Sequence, residues 1–161
     1  MGTHAQAREL TGGCSCRAVR YRLSSEPLVV HCCHCRYCQR ETGASFALNA
    51  MIESARVLQT GAAPKLVLTP SASGKGQTIA RCSECYVALY SHYAGSGPLI
   101  SFVRVGTLDD PDQLPPDIHI FTASKQPWIQ LPPTAKAFAE YYERDEHWPE
   151  SSLARRRALF G

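Results

Sequence analysis

Cysteine spacing constrains this chain more than any other feature. Seven of its eight cysteines fall into three short clusters: Cys14 and Cys16 as CxC, Cys33, Cys35 and Cys38 as CxCxxC, and Cys82 and Cys85 as CxxC. Seven divides into four plus three. Four thiolates close a tetrahedral zinc site, whereas three leave one position open for water or substrate. The spacing therefore predicts one zinc that holds the fold and a second that does chemistry.

Disulfides are the competing use of an even cysteine count. Residues 1–30 lack the apolar run of a secretory leader, with Arg8 and Glu9 where such a run would sit. Cysteines one or two residues apart are poor crosslinks but wrap readily around one ion. At 44% hydrophobic residues the chain can build a core without covalent staples. The reading is a cytoplasmic zinc protein of one domain. No run of eighteen apolar residues spans a membrane. The formal charge of +3 counts cysteines as neutral; seven thiolates on two zinc ions bring it near zero. No nucleic-acid partner is expected from bulk charge.

Period-two patterning marks Arg17–Leu23 and Ala44–Ile52, and Leu28–Cys33 is a short apolar run rich in β-branched residues. Strands are predicted at Arg17–Leu23, Leu28–Cys33, Ala44–Ile52, Lys65–Leu68, Thr78–Cys82, Val87–His92, Pro98–Val105 and Ile118–Thr122, with Gly, Pro and Ser between them. Helical patterning comes late, at Thr134–Tyr142 and Glu150–Phe160. Ser71–Gly76 reads as a flexible hairpin tip, and Asp109–Pro116 as an acidic, proline-rich connection. Many short strands indicate a mainly β core.

Cys82 and Cys85 need two more ligands, and Cys14 and Cys16 can supply them, since alternate residues of an extended segment share a face. In the stretch from His31 to Arg40, strand parity puts His31, Cys33 and Cys35 on one side and Cys32 and His34 on the other. A turn at Arg36–Tyr37 then returns Cys38 to its partners. Cys32 is a poor fourth ligand by this geometry and reads as a small buried side chain. His31 has the parity to close the site, but strand histidines are more often packed. The leading reading is an open three-thiolate zinc.

The segments GGCSCRAVRYR, CHCRYCQRETGASF and ARCSEC resemble the glutathione-dependent formaldehyde-activating (GFA) enzyme family, over about Gly12 to Pro132. The resemblance implies a β-tent fold with two zinc sites and, in this chain, short C-terminal helices. It puts a structural zinc on Cys14, Cys16, Cys82 and Cys85, and a catalytic zinc on Cys33, Cys35 and Cys38. It divides the chain into a flexible N-terminus (1–11), a zinc-binding domain (12–145) and a helical tail (146–161). Family members often carry glycine after the second CxxC cysteine, where Tyr86 stands here.

The implied activity is that of a carbon–sulfur lyase acting on a thiol–aldehyde adduct of S-(hydroxymethyl)glutathione type. Its partners would be a small thiol such as glutathione and a small aldehyde. The alternative is a non-catalytic two-zinc β module that binds a protein or nucleic acid. Arg36 and Arg40 flank the open ligands and are candidates to hold a substrate carboxylate, as is Lys125. Trp128 could cover the site, but packing on the core is the commoner role for such a side chain. His31, His34, His92 and His119 are equal candidates for a general base. Arg155–Arg157 read as a solvated helix end, where cations complement the macrodipole, rather than as a phosphate grip.

Overall fold

The computed structural model describes residues 9–161. The first eight residues of the segment expected to be flexible lie outside that range. Its last two, Leu10 and Thr11, are already in β1 (Leu10–Gly13), which pairs with β2 (Arg20–Leu23). With β5 (Val57–Gln59) these form a three-stranded sheet in the order β1-β2-β5. Gly12 permits a close approach here: a Cβ on it would lie 2.5 Å from the Thr107 carbonyl oxygen and 2.6 Å from the Tyr21 hydroxyl.

The larger sheet has eight strands. They are β3 (Val29–Cys33), β4 (Ala47–Glu53), β6 (Lys65–Thr69), β7 (Gln77–Arg81), β8 (Ala88–Tyr93), β9 (Ile100–Arg104), β10 (Ile118–Ile120) and β11 (Lys136–Ala137). Their order is β11-β10-β3-β4-β9-β8-β7-β6. The protein is thus mainly β, with two sheets and few helices, as expected.

Both faces of the middle of this sheet are covered, so its strands are apolar at consecutive positions. On one face Val30, Ala50, Ile52 and Val103 pack with Leu10, Tyr21 and Leu23 of the small sheet. On the other, Val29, Met51 and Ile118 pack with Tyr142, Trp148 and Leu153 from the C-terminal segment. That segment carries α2 (Arg144–His147) and α3 (Glu150–Phe160). The Ser152 hydroxyl donates to the Leu28 carbonyl at 2.7 Å, which seats α3 at the start of β3. Among the described residues no helix is long and apolar enough to cross a membrane.

Two local expectations are corrected. The helix predicted over Thr134–Tyr142 does not form. The amides of Phe121, Thr122 and Ala123 donate instead to the carbonyls of Glu140, Phe138 and Ala139, so the segment lies extended beside β10. Phe138 and Tyr142 still stack, with centroids 5.0 Å apart, and that four-residue spacing mimicked a helical face. The turn expected at Arg36–Tyr37 is the start of a helix, α1 (Arg36–Thr42), which ends at Gly43 with φ of 67°. The Ser71–Gly76 segment is the hairpin tip between β6 and β7, as expected; at its base Ser71 is buried, its carbonyl accepts from the Gly74 amide, and its hydroxyl meets that of Ser73 at 3.1 Å.

Candidate metal centres and a cavity beside one of them

Two turns bring the first group of sulfurs together. The Cys14 amide donates to the Val19 carbonyl, and the Arg17 amide returns to the Cys14 carbonyl at 3.1 Å, with Arg17 at φ 67°. In the second turn the Cys82 amide donates to the Val87 carbonyl and the Tyr86 amide to the Cys82 carbonyl at 3.0 Å, with Tyr86 at φ 61°. Each turn thus closes through a left-handed residue. The Tyr86 position is one that glycine adopts without strain, which accounts for the glycine expected there.

The Val19 amide also donates to the Cys14 sulfur at 3.3 Å, and the Glu84 amide to the Cys82 sulfur at 3.4 Å. The sulfurs of Cys14 and Cys16 are 3.5 Å apart, and those of Cys16 and Cys82 are 3.6 Å apart. Sulfurs about 2.3 Å from one tetrahedral ion would be spaced about 3.8 Å. Backbone N–H groups from Val87 and Cys16 draw the Cys85 thiol down to about 6. All four sulfurs lie within 4.8 Å of one another, and the donor set fits a metal ion.

Cys33, Cys35 and Cys38 also gather within 4.8 Å, at the end of β3 and the first turn of α1. The Cys35 sulfur caps α1 by accepting from the Cys38 amide at 3.3 Å. The three thiols titrate as one set. Hydrogen bonds from Cys33 and then Cys38 draw Cys35 down to about 2. Its contacts to Cys35 and Cys38, with burial, push Cys33 up. For Cys38 the Cys33 contact lowers the value, but the Cys35 contact and burial prevail and lift it to about 12. Left to themselves the three favour a single thiolate at Cys35; a cation among them would let all three ionise, and the donor set fits one.

These sulfurs form part of the wall of a cavity of about 260 Å³, lined also by His31, Asn49, Gln77, Tyr93, Phe102 and Tyr141. Ser71, Ala72 and Ser73 complete one side, so the tip between β6 and β7 belongs to the cavity wall. His31 is buried and neutral, with burial chiefly pushing it down to about 4. Its Nε2 meets the Tyr142 hydroxyl at 2.5 Å, and that hydroxyl accepts from the Trp148 indole at 2.6 Å. The chain from α3's leading segment to β3 therefore braces this wall, and His31 makes no group with the three sulfurs.

The expected carboxylate contacts are not built into this cavity. α1 carries Arg36 and Arg40 outward to a separate recess with Gln126 and Trp128, and Arg36 donates to Gln39 Oε1 at 2.8 Å. Lys125 donates to the carbonyls of Ile129 and Gln126, at 2.5 and 3.3 Å. Trp128 neither covers the cavity nor packs on the core; it is 70% exposed.

Two polar groups had no signal in the sequence. Arg104, buried at the end of β9, donates to Asn49 Oδ1 at 2.6 Å and to Glu41 Oε2 at 2.9 Å. Its charge acts on Cys38 and favours the thiolate. Gln77, 4% exposed, lines the cavity, and its Oε1 has no hydrogen-bond partner among the described residues. Neither shows any special spacing, because strands brought them there from distant parts of the chain. On the reverse side of β3, as parity required, stand Cys32 and His34, and His119 of β10 joins them. His92 is elsewhere, bonded to Ser101 at 3.0 Å.

A sequence model described as "GFA: Glutathione-dependent formaldehyde-activating enzyme" matches residues 9–124. A Halomonas elongata protein with the printed name "Putative glutathione-dependent formaldehyde-activating enzyme" is 25% identical over 159 residues, covering 94% of this chain and 96% of that one. A crystal structure of a Rhodobacter sphaeroides protein is similar with a TM-score of 0.48 and 20% identity, over 64% of this chain and 93% of that chain.

Proposed function

The chain belongs to the glutathione-dependent formaldehyde-activating enzyme family, and on that footing we propose that it is a zinc-dependent carbon–sulfur lyase in the cytoplasm. Its substrate class is the adduct of a small thiol with a small aldehyde, of S-(hydroxymethyl)glutathione type. The observation that carries this reading is the placement of the three-sulfur cluster on a cavity wall. A purely structural cluster has no need of an adjoining cavity, and the four-sulfur cluster supplies the closed site.

In this reading Cys14, Cys16, Cys82 and Cys85 hold one zinc, and Cys33, Cys35 and Cys38 hold the other with one position free. When bound there, zinc supplies a Lewis acid that keeps a thiol ionised near neutral pH or polarises a carbonyl. The chain's own residues do the rest. Arg104 offsets part of the negative charge that three thiolates concentrate beside Cys38. Gln77 Oε1 offers an unused acceptor to an N–H or O–H of the substrate. Phe102, Tyr93 and Tyr141 present apolar area that limits water around the reacting atoms. The reaction itself joins thiolate sulfur to the aldehyde carbon, and the former carbonyl oxygen takes a proton; the reverse direction breaks that C–S bond.

The test is a native mass spectrum of protein purified without chelators, recorded with and without glutathione, followed by assay of formaldehyde addition. Retained thiol and turnover, both lost in Cys35→Ser while the fold persists, are the expected results. A wild-type protein with its zinc in place but neither adduct nor turnover would overturn the lyase reading in favour of a non-catalytic zinc module.

A further inference from the structure

Alternation along β3 sends neighbouring side chains to opposite faces. Cys33 and Cys35 serve the cavity, whereas Cys32 and His34 face the other way and meet His119. Cys32 Sγ lies 3.5 Å from His34 Nε2, and His34 Nε2 lies 3.1 Å from His119 Nδ1. All three ligand atoms fall within 4.8 Å. An ion bound tetrahedrally at the usual zinc–nitrogen and zinc–sulfur lengths would set sulfur–nitrogen and nitrogen–nitrogen spacings of roughly 3.3–3.6 Å. Both measured edges are close to those values.

Hydrogen bonding alone serves this trio poorly. One nitrogen, His34 Nε2, is the near neighbour of both other groups, while His34 Nδ1 is buried without a partner among the described residues. A neutral imidazole has one donor and one acceptor nitrogen, so either tautomer leaves part of the set unmatched. The backbone holds the trio in place. Cys32 and His119 stand opposite each other in the parallel pairing of β3 with β10. The His34 amide donates to the Ile120 carbonyl at 3.0 Å, and its carbonyl accepts from Gln39 Nε2 and Ser124 Oγ at 2.8 and 2.9 Å.

We propose that Cys32, His34 and His119 form a third metal site, for zinc or another borderline divalent ion, separate from both cysteine clusters. One thiolate and two imidazoles are a donor set that borderline ions favour over magnesium or calcium. The trio borders a recess of about 330 Å³ whose walls include Phe46, Leu48, Trp128 and Leu131. The fourth position faces that recess and takes water or a small exogenous donor. This site does not depend on the lyase reading, because it shares no ligand with the three-sulfur cluster.

The experiment is zinc stoichiometry. The full-length protein is loaded with zinc, freed of excess by gel filtration, and weighed by native mass spectrometry. Cys32→Ser and His119→Gln are treated in parallel, with circular dichroism to verify their folding. The expected result is three zinc ions per wild-type chain and two in each variant. Loss of one ion from either variant supports the site even if another cluster is empty, which would fault the two-cluster reading instead. A wild-type count of two that neither substitution changes would overturn the proposal, as would a count of three that survives both. If one variant fails to fold, the other and the wild-type count still decide the matter.

Discussion

The sulfurs of Cys16 and Cys82 lie 3.6 Å apart although sixty-six positions separate them in the chain. An ion shared by these sulfurs would close that long loop and tie the three-stranded sheet to the turn after β7. Cys16→Ser is therefore expected to lower the thermal midpoint sharply and expose the protein to proteolysis. Cys35→Ser should leave the fold largely intact and remove activity. Thermal melts and turnover measured side by side check this, and equal loss of folding in both variants would rule out the division of roles.

Tyr86 occupies a left-handed conformation at φ 61°, with its ring 66% exposed. A non-glycine residue there carries a strain of roughly 1–2 kcal/mol, less the extra chain entropy that glycine loses on folding. Tyr86→Gly should raise stability by about 1 kcal/mol in urea denaturation. Tyr86→Val should lower it, since a β-branched side chain tolerates this region worst. A destabilised glycine variant would mean that the exposed ring makes contacts of greater value than the strain.

Gln77 is buried beside the cavity with Oε1 unused. Gln77→Leu keeps the volume and removes the acceptor. If that oxygen binds substrate, KM for S-(hydroxymethyl)glutathione should rise by roughly tenfold, the effect of about 1.4 kcal/mol. Stability should not fall, because Oε1 has no hydrogen-bond partner among the described residues to lose. An unchanged KM would remove Gln77 from the binding surface.

Arg155 forks onto Glu53, with contacts of 2.9 and 2.5 Å, and its guanidinium also donates to Glu26 O and Ser25 Oγ. It is not part of a solvated helix end, because α3 lies against the start of β3 and the end of β4. Arg157 pairs with Glu150, and Arg156 lies 4.6 Å from the Phe160 ring centre. Arg155→Met should cost about 2 kcal/mol by stranding the buried Glu53 carboxylate, with Arg56 as a partial substitute. For a chain of this size that is a drop of roughly 4–8 °C in Tm. A shift below 1 °C would show that Arg56 compensates fully.

Burial holds His92 below its ordinary value of 6.5. The unfolded chain then binds a proton before the folded one does, so the imidazole's contribution is complete above pH 6.5 and is lost as pH falls below it. His92→Gln should flatten that part of the stability profile relative to wild type. Matched denaturation curves from pH 7.5 downward test this; parallel profiles would rule out His92 as a source of the slope.

Much of the architecture was legible because it rests on local pattern. β3 follows a short apolar run rich in β-branched residues, β4 contains the alternating Leu48, Ala50 and Ile52, and α3 spans the predicted Glu150–Phe160. The gathering of the Cys14, Cys16, Cys82 and Cys85 sulfurs, and of those of Cys33, Cys35 and Cys38, agrees with the division into four and three that short spacing and the cysteine count suggested. By contrast, Lys136–Ala137 became a strand because β10 offered a partner, and pairing outweighed the helical spacing of Phe138 and Tyr142.

What spacing determined by itself was therefore which cysteines belong together and which face of β3 each neighbour takes. Only the tertiary structure decided what surrounds them: Gln77 and Ser71 on the cavity wall, Arg104 beside Cys38, and His119 against Cys32 and His34. Those residues come from strands and a hairpin tip far apart in sequence, and their meeting depends on sheet order and register, to which no local repeat or spacing refers.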